Sequence, residues 1–417
     1  MSWTPGPRPE WVQAVNAGEI VPMADVARRP LSRDALLDEA SARIGLDDFG
    51  SGDFLEPLGV LVVALEEEAE LTVLGRWLTQ RFLLRLLEVR LQLVAHVRAD
   101  PSVVGRPIVE PLFITGAPRT GTTILHSLLA QDPDHRAPLG WELLWPVPPP
   151  RGFAGAGVPG FADPRVALAE EELRAPAMVT GGLDAIHVYG ALMPKECLSA
   201  MSFAFRSEEF TARYHVPSYA GWLFASDMRP AYEMHKLVLQ VLSRSGQPPR
   251  WVLKSPVHLH SLPVLLDVYP DARIAVTHRD PLKVLPSVTS LVAMLRWAHS
   301  DHVDFAGIGR YHAALYHGAL DGLVTMTERG QLDPARLSHV RYADFVDDPV
   351  TAVATLYAHL GSRLGPATVD GMQRHLREQP RGQHGGHIYA FDHLGLDHAG
   401  ERARFARYQS FFGVTDE

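Results

Sequence analysis

Apolar residues recur with the period of a helix in the first quarter of the chain. Between about Val60 and Val97 they lie about three to four positions apart, and the pattern stops at Asp100 and Pro101. We expect residues 1–105 to form a helical region that packs on the core or in the interface of a homo-oligomer.

Strands and helices alternate after residue 105. Residues 111–115 (PLFIT) are an almost continuous apolar run closed by Gly116, which is typical of a strand buried on both faces of a parallel sheet, and helical spacing follows as far as Asp132. Strand-like runs recur at residues 251–254, 272–277 and 337–342. The alternation predicts an α/β fold, a three-layer, doubly wound and mainly parallel sheet.

Asp-Pro pairs and shifts in composition divide this part of the chain further. Asp280 and Asp348, each followed by proline, are predicted to cap helices. Residues 145–160 are rich in Pro and Gly and predict a loop, whereas 163–245 are mostly helical and rich in aromatic residues. We therefore expect one α/β domain over 106–417 with a helical insert at about 163–245.

Composition restricts the class of protein. At 417 residues with 46% hydrophobic content, the chain is long enough for a large buried core. The single cysteine, Cys197, excludes an internal disulfide framework. The sequence predicts neither a secretion signal nor an apolar run of the roughly 20 residues that span a membrane. The formal net charge of -9 argues against a broad nucleic-acid surface. We expect a soluble, cytoplasmic enzyme that holds any anionic ligand at a local site.

A phosphate loop is predicted between the first buried strand and its helix. Residues 116–123 (GAPRTGTT) occupy the turn where backbone N–H groups and the helix dipole surround an anion. They share the glycines and the final threonine of the nucleotide-triphosphatase loop, but Thr122 replaces its lysine and the positive charge is at Arg119. That lysine normally spans the β- and γ-phosphates, so hydrolysis of ATP or GTP is disfavoured. The alternative is an ordinary turn between a strand and a helix.

The segment 118–123 resembles the 5′-phosphosulfate-binding loop of the sulfotransferases that use 3′-phosphoadenosine-5′-phosphosulfate (PAPS). In that family an Arg and a Ser separated by seven residues hold the 3′-phosphate, and Arg279 and Ser287 have this spacing after a predicted strand. The resemblance is closest to bacterial-type members and covers about residues 112–396. It implies the sulfotransferase fold with a P-loop-like phosphate loop, PAPS as co-substrate, 3′,5′-ADP as product, a small-molecule hydroxyl as acceptor, and no metal ion.

The resemblance also assigns residues to the nucleotide. The binding residues it implies are Pro118, Arg119, Thr120, Gly121, Thr122, Thr123, Arg279, Ser287, Tyr342 and Arg381. An Arg fork gives a phosphate two parallel donors and a Ser adds a hydroxyl. Tyr342 is expected near the adenine, and Arg381 in a basic loop that closes over the nucleotide. A salt bridge from Arg279 to Asp280 and a core position for Tyr342 are the alternatives.

Catalytic roles follow from the same comparison. Lys254 and Arg119 are expected to stabilise charge on the leaving phosphate. The alternative for Lys254, a surface lysine at the end of a strand, is disfavoured because lysine is scarce in this sequence. The cytosolic branch of the family uses a His base two residues after this lysine, but Pro256 stands there. The base is therefore predicted to be Glu142, as in the branch that includes the protein-tyrosine sulfotransferases, with His258 second. A surface acid and a structural histidine are the respective alternatives.

The acceptor side gives the weakest signal. Aromatic residues spread over the insert are candidates for an apolar pocket, although most are expected in the core: Tyr189, Phe203, Phe205, Tyr214, Tyr219, Trp222 and Phe224. Glu196 and His187 lie in the same region, within possible reach of an acceptor hydroxyl. Two other functions stay open from sequence, a P-loop small-molecule kinase and a nucleotide-binding protein without turnover.

Overall fold

A five-stranded parallel sheet lies at the centre of the fold. The computed structural model describes residues 3–148, 163–181, 183, 190–243, 249–379 and 390–417. Within these residues the strands are β1 (Leu112–Thr115), β2 (His135–Arg136), β3 (Arg250–Lys254), β4 (Arg273–His278) and β5 (Leu337–Arg341), in the order β2-β3-β1-β4-β5. The predicted α/β fold is confirmed, and the carboxyl ends of all five strands meet at one edge.

Helices form the remaining described elements. Those before the sheet are α1 (Glu10–Asn16), α2 (Val21–Ala27), α3 (Arg33–Ile44), α4 (Leu55–Glu67) and α5 (Val73–Ala99). Those within the sheet region are α6 (Thr122–Leu129), α7 (Gly140–Leu144), α8 (Pro164–Thr180), α9 (Leu198–Met201), α10 (Glu208–Arg213), α11 (Pro217–Ala225), α12 (Arg229–Leu242), α13 (Leu262–Val268), α14 (Pro281–Trp297), α15 (Phe305–Glu328), α16 (Tyr342–Asp347), α17 (Pro349–His359), α18 (Pro366–Glu378) and α19 (His398–Phe412). Short 3₁₀ helices cover Gly52–Phe54, Pro101–Gly105, Ser202–Ala204, Pro256–His260 and Phe391–Leu394.

The helical stretch predicted around residues 60–97 is two helices rather than one. The chain breaks between α4 and α5, where the Thr72 side chain caps α5 by accepting a hydrogen bond from the Gly75 N–H. The Thr72 N–H itself donates to the His299 carbonyl at 2.9 Å. A tertiary contact that the local apolar period does not contain therefore sets the break.

The sheet buries both of its faces, as a three-layer fold requires. Along β1, Leu112 and Ile114 pack in a cluster with α6 and α17, whereas Phe113 points to the opposite face and joins the main core. The two Asp-Pro pairs behave as predicted, because Asp280 caps α14 and Asp348 caps α17. None of the described helices combines the length and the apolar character needed to cross a lipid bilayer.

Candidate active site

The loop between β1 and α6 has a backbone that glycine makes possible. Gly116 has φ 132°, and a Cβ at this position would lie 2.4 Å from the carbonyl oxygen of Thr277 on β4. Gly121 has φ 92° where α6 begins. Arg119 also lies in the left-handed region, with φ 68°, a conformation that costs a non-glycine residue about 1–2 kcal/mol. Strain of this kind at a helix N-terminus is typical of a ligand-binding loop.

The threonine side chains of this loop make different contacts. The Thr120 hydroxyl donates to the Ala117 carbonyl at 2.6 Å and contacts the hydroxyl of Thr277, which fixes the loop to β4. Thr122 is buried at the start of α6, whereas Thr123 is exposed and accepts a hydrogen bond from the Lys254 ammonium at 3.3 Å. Thr120 therefore shapes the loop, and the side chain available to a ligand is that of Thr123.

The two predicted phosphate-binding segments meet in the fold. The Arg119 Nε donates to the Ser287 hydroxyl at 3.0 Å, and the Arg279 Nη1 donates to the Arg119 carbonyl at 3.0 Å. Arg279 follows β4, and Ser287 lies two turns into α14, so the neighbouring positions of β1 and β4 bring both residues into contact with Arg119. Two arginines and a serine hydroxyl in contact are a donor set suited to phosphate groups.

Arg279 has two partners that the sequence did not reveal. Its guanidinium lies 4.0 Å from the centre of the Tyr342 ring, and its Nε and Nη2 donate to the Glu417 carboxylate at 3.0 and 2.8 Å. The expected alternative, a bond to Asp280, is not the one formed, because Asp280 pairs with Arg402 at 2.7 Å. Glu417 thus contacts Arg279, a residue predicted to bind the 3′-phosphate.

Lys254 lies at the carboxyl end of β3, on the other side of β1. Its side chain is buried, contacts Thr123, and forms an ion pair with the Glu196 carboxylate. The backbone places Glu196 there, since the Cys197 N–H donates to the Lys254 carbonyl at 3.0 Å. Sequence reasoning named both residues but did not connect them.

Both predicted proton acceptors are occupied by structural contacts. Glu142 is 6% exposed, accepts from Arg136 at 2.7 Å with one oxygen, and accepts from the Leu139 N–H at 2.9 Å with the other. These contacts fix the start of α7, and a base role for Glu142 stays a prediction. His258 is fully buried and its Nδ1 contacts the Tyr232 hydroxyl at 2.9 Å. Burial lowers the pKa of His258 well below its ordinary value. Its contacts are those of a core histidine, and a base role for His258 also stays a prediction.

A cavity of about 160 Å³ opens beside the phosphate loop. Pro118, Glu196 and Pro256 line the end next to the loop. The aliphatic wall comes from α14, and α8, α10 and α15 add a mixture of apolar, aromatic and charged side chains. Neither Glu142 nor His258 lines it. Of the aromatic residues predicted for such a pocket, Phe203, Phe205, Tyr214 and Tyr219 are buried in the core instead.

Charged groups lie deeper in this cavity. Glu208 and Val257 separate it from a second cavity of about 250 Å³. Burial raises the pKa of Glu208 to about 8, so this carboxyl is protonated at neutral pH. Glu209 pairs with Arg213 at 2.6 Å, and although burial opposes its ionisation, Arg213 lowers the pKa of Glu209 to about 2.

Three of the predicted positions cannot be placed. Arg381, expected to close over the nucleotide, lies outside the described residues, as do His187 and Tyr189 on the acceptor side. Within the described ranges, no group of three or more His, Cys, Asp or Glu side chains has the arrangement of a metal site.

A sequence profile for the "Sulfotransferase family" matches residues 111–366, which is more than half of the chain. The chain belongs to the sulfotransferase family. The matched region contains the phosphate loop, Lys254, Arg279 and Ser287, whereas Arg402 and Glu417 lie beyond it.

Named relatives and solved structures agree with this assignment. Omega-hydroxy-beta-dihydromenaquinone-9 sulfotransferase Stf3 of Mycobacterium bovis and of Mycobacterium tuberculosis is 30% identical over 282 residues, which are 62% of this sulfotransferase and 66% of the relative. The chain therefore matches slightly less than two thirds of the length of these relatives.

The solved structures cover more of the chain. Sulfotransferase STF1 from Mycobacterium tuberculosis superposes with a TM-score of 0.76 at 31% identity, over 91% of this sulfotransferase and 99% of STF1. Sulfotransferase STF9 from Mycobacterium avium gives a TM-score of 0.82 at 28% identity, over 93% and 98%. The similarity includes most of the N-terminal helices as well as the sheet.

Proposed function

We propose that this sulfotransferase transfers the sulfuryl group of PAPS to a hydroxyl of a small, largely apolar acceptor and releases 3′,5′-ADP. The observation that carries the proposal is the contact of Arg119 with both Ser287 and Arg279. It joins a helix N-terminal phosphate loop to a second anion-binding pair at the end of the adjacent strand. A nucleotide with phosphate groups at its 5′ and 3′ ends matches two such neighbouring sites.

The residues present fit this donor. The backbone N–H groups of the loop and the N-terminus of α6 face the 5′ end, with Thr123 beside them. Arg279 and Ser287 would hold the 3′-phosphate, and the ring of Tyr342 lies next to Arg279 where an adenine can pack. Bound PAPS supplies a sulfuryl group joined to its 5′-phosphate. Lys254 and Arg119 would stabilise the negative charge left on that phosphate.

The cavity supports an apolar acceptor. Its aliphatic wall can bury a hydrocarbon body, and its loop end brings a hydroxyl next to Pro118 and Glu196. The named relatives act on a menaquinone derivative with a hydroxyl group, which is consistent with an apolar alcohol here. We also propose that residues 163–245 are the acceptor-side insert of an α/β domain (106–417) on which a helical region (1–105) packs.

Thermal-shift titration with 3′,5′-ADP, ATP and GTP tests the donor. We expect 3′,5′-ADP to raise Tm without added metal and ATP to have little effect, because the loop lacks a lysine that reaches a γ-phosphate. Stabilisation by ATP but not by 3′,5′-ADP would favour a kinase and contradict the proposal. Transfer of labelled sulfate from PAPS to a panel of phenols, sterols and alkyl alcohols then tests turnover.

Substitutions locate the site. Arg279→Ala should weaken 3′,5′-ADP binding by roughly 10- to 100-fold, which is the usual effect of losing one charged hydrogen-bonding group. Arg374→Ala removes the same charge from an exposed position on α18 and is the control. Equal affinities of the two variants would place the 3′-phosphate elsewhere.

A further inference from the structure

We propose that Glu196 is the general base of the transfer reaction and that it works as a coupled pair with Lys254. This inference rests on the proposed sulfuryl transfer and assigns its proton acceptor. The roles proposed above for Lys254 and for the nucleotide-binding residues are unchanged. Only the base differs, since Glu196 takes this role instead of Glu142.

Position is the first argument. Glu196 lines the end of the cavity that touches the phosphate loop, together with Pro118 and Pro256. Its carboxylate is also bonded to Lys254, whose ammonium contacts Thr123 on the loop. Glu196 therefore adjoins both the place for an acceptor hydroxyl and the place where the donor is cleaved. A general base must be within hydrogen-bonding reach of the proton it removes.

The other acids of the cavity are unsuited to the task. Burial raises the pKa of Glu208 to about 8, so at neutral pH it is mainly the neutral acid, a much weaker proton acceptor than a carboxylate. Glu209 is paired with Arg213, and Glu172 with Arg85 at 2.9 Å, and neither arginine is among the residues assigned to the donor. Among the described acidic residues that line the cavity, Glu196 is the one bonded to Lys254.

The ion pair couples proton transfer to bond cleavage. Glu196 removes the proton from the acceptor hydroxyl while the hydroxyl oxygen bonds to sulfur. The bond between sulfur and the bridging oxygen of the 5′-phosphate breaks, and its electron pair stays on that oxygen. Once protonated, Glu196 is neutral, so the charge of Lys254 is no longer balanced and acts fully on the new negative charge. The proton then leaves Glu196 for solvent.

Two lysines and a histidine interact with Glu196. Lys254 is bonded to it, and Lys195 interacts with it electrostatically. His126 lies behind Lys254, and burial lowers the pKa of this histidine to about 3, so it stays neutral. The charged groups named here that face Glu196 are therefore the ammonium groups of the two lysines.

The test compares the kcat of Glu196→Gln with that of the wild type for acceptors of increasing acidity, from alkyl alcohols through phenol to 4-nitrophenol. Water is also an acceptor in every assay, so hydrolysis of PAPS is measured as well. For the weakly acidic acceptors we expect kcat to fall roughly 100- to 10,000-fold. The loss should shrink as the hydroxyl becomes more acidic, because an acidic phenol needs less help to lose its proton. Glu196→Asp should recover part of the rate.

Two measurements separate a base from a structural residue. Calorimetry should show that Glu196→Gln binds 3′,5′-ADP at least as well as the wild type, because Lys254 keeps its charge and loses a competing anion. Glu142→Gln should lower Tm through the loss of its Arg136 contact but keep the dependence on acceptor acidity. Glu67→Gln, at an exposed position, is the neutral control for the charge change.

Each outcome decides between the assignments. A loss of the same size with every acceptor, or a loss that follows Glu142→Gln instead, overturns the role of Glu196. A wild-type protein that releases no sulfate from PAPS to any acceptor, water included, would instead refute the proposed function itself.

Discussion

Replacing Glu208 with Gln should remove a loss of stability that occurs as the pH rises from 4.5 to about 8. Glu208 begins α10, is half-buried between the two cavities, and has a carboxylate oxygen 3.7 Å from the Nε2 of His260. Burial raises the pKa of Glu208 from 4.5 to about 8, and it lowers the pKa of His260 to about 4. His260 is therefore neutral over the range in which Glu208 titrates.

The sign follows from which state holds the proton. Between pH 4.5 and about 8 the folded protein keeps the Glu208 proton and the unfolded chain has lost it. Stability therefore falls as pH rises through this interval and levels off above it. A pKa that moves by this amount corresponds to about 5 kcal/mol at most. Gln has the shape and neutrality of the protonated acid and does not titrate, so the variant lacks this loss.

Urea denaturation at pH 5, 7 and 9 measures the effect. The variant and the wild type should be similar at pH 5, and the free energy of unfolding should favour Glu208→Gln increasingly toward pH 9. Glu67→Gln, at an exposed position, should follow the wild type throughout. Parallel curves for Glu208→Gln and the wild type would refute the assignment of a buried, protonated carboxyl.

Three other substitutions have definite expected outcomes. Glu417→Gln should raise the affinity for 3′,5′-ADP about 2- to 5-fold by calorimetry, because a half-exposed ion pair with Arg279 is worth about 0.5–1 kcal/mol; unchanged affinity would mean that Glu417 does not compete. Gly116→Ala should abolish nucleotide binding and lower Tm, because its Cβ collides with the backbone of β4; normal binding would contradict the loop geometry. Glu209→Gln should cost about 3–5 kcal/mol at pH 7 by leaving Arg213 without its buried partner. The pair's contribution should persist above pH 4.5 and disappear as pH falls toward 2.

Matched controls exist for these changes. Glu19→Gln removes the same charge from an exposed position and should alter neither affinity nor stability. Gly18→Ala also adds a Cβ at positive φ, here 81°, but nothing lies within 4 Å of it. The difference between the two glycine variants therefore isolates the collision at Gly116.

Local patterns were sufficient to predict much of the fold. The strands β1, β3 and β4 each contain at least three consecutive apolar residues, and each Asp-Pro pair carries its own capping side chain. The strand β2 was missed because two residues, His135 and Arg136, are too few to show a period. The phosphate loop was predictable because its glycines and its place between a strand and a helix are adjacent in sequence.

The pairings within the site were not predictable in the same way. Lys254 and Glu196 are 58 positions apart, and Arg279 and Glu417 are 138 apart. No sequence period connects such residues, since their contacts depend on how the strands and the last helix pack. Glu142 illustrates the same limit, because its partner Arg136 was not predicted from the sequence.

The order of the strands fixes the distance and the direction from one end of the site to the other. Neighbouring strands are about 4.8 Å apart, so the ends of β4, β1 and β3 mark three points on a line roughly 10 Å long. Arg279 stands at one end of that line and Lys254, beside the cavity, at the other. A donor inserted back to front would present its reactive end to Arg279, away from any acceptor. For the proposed donor, the order of the strands therefore favours one orientation over the reverse.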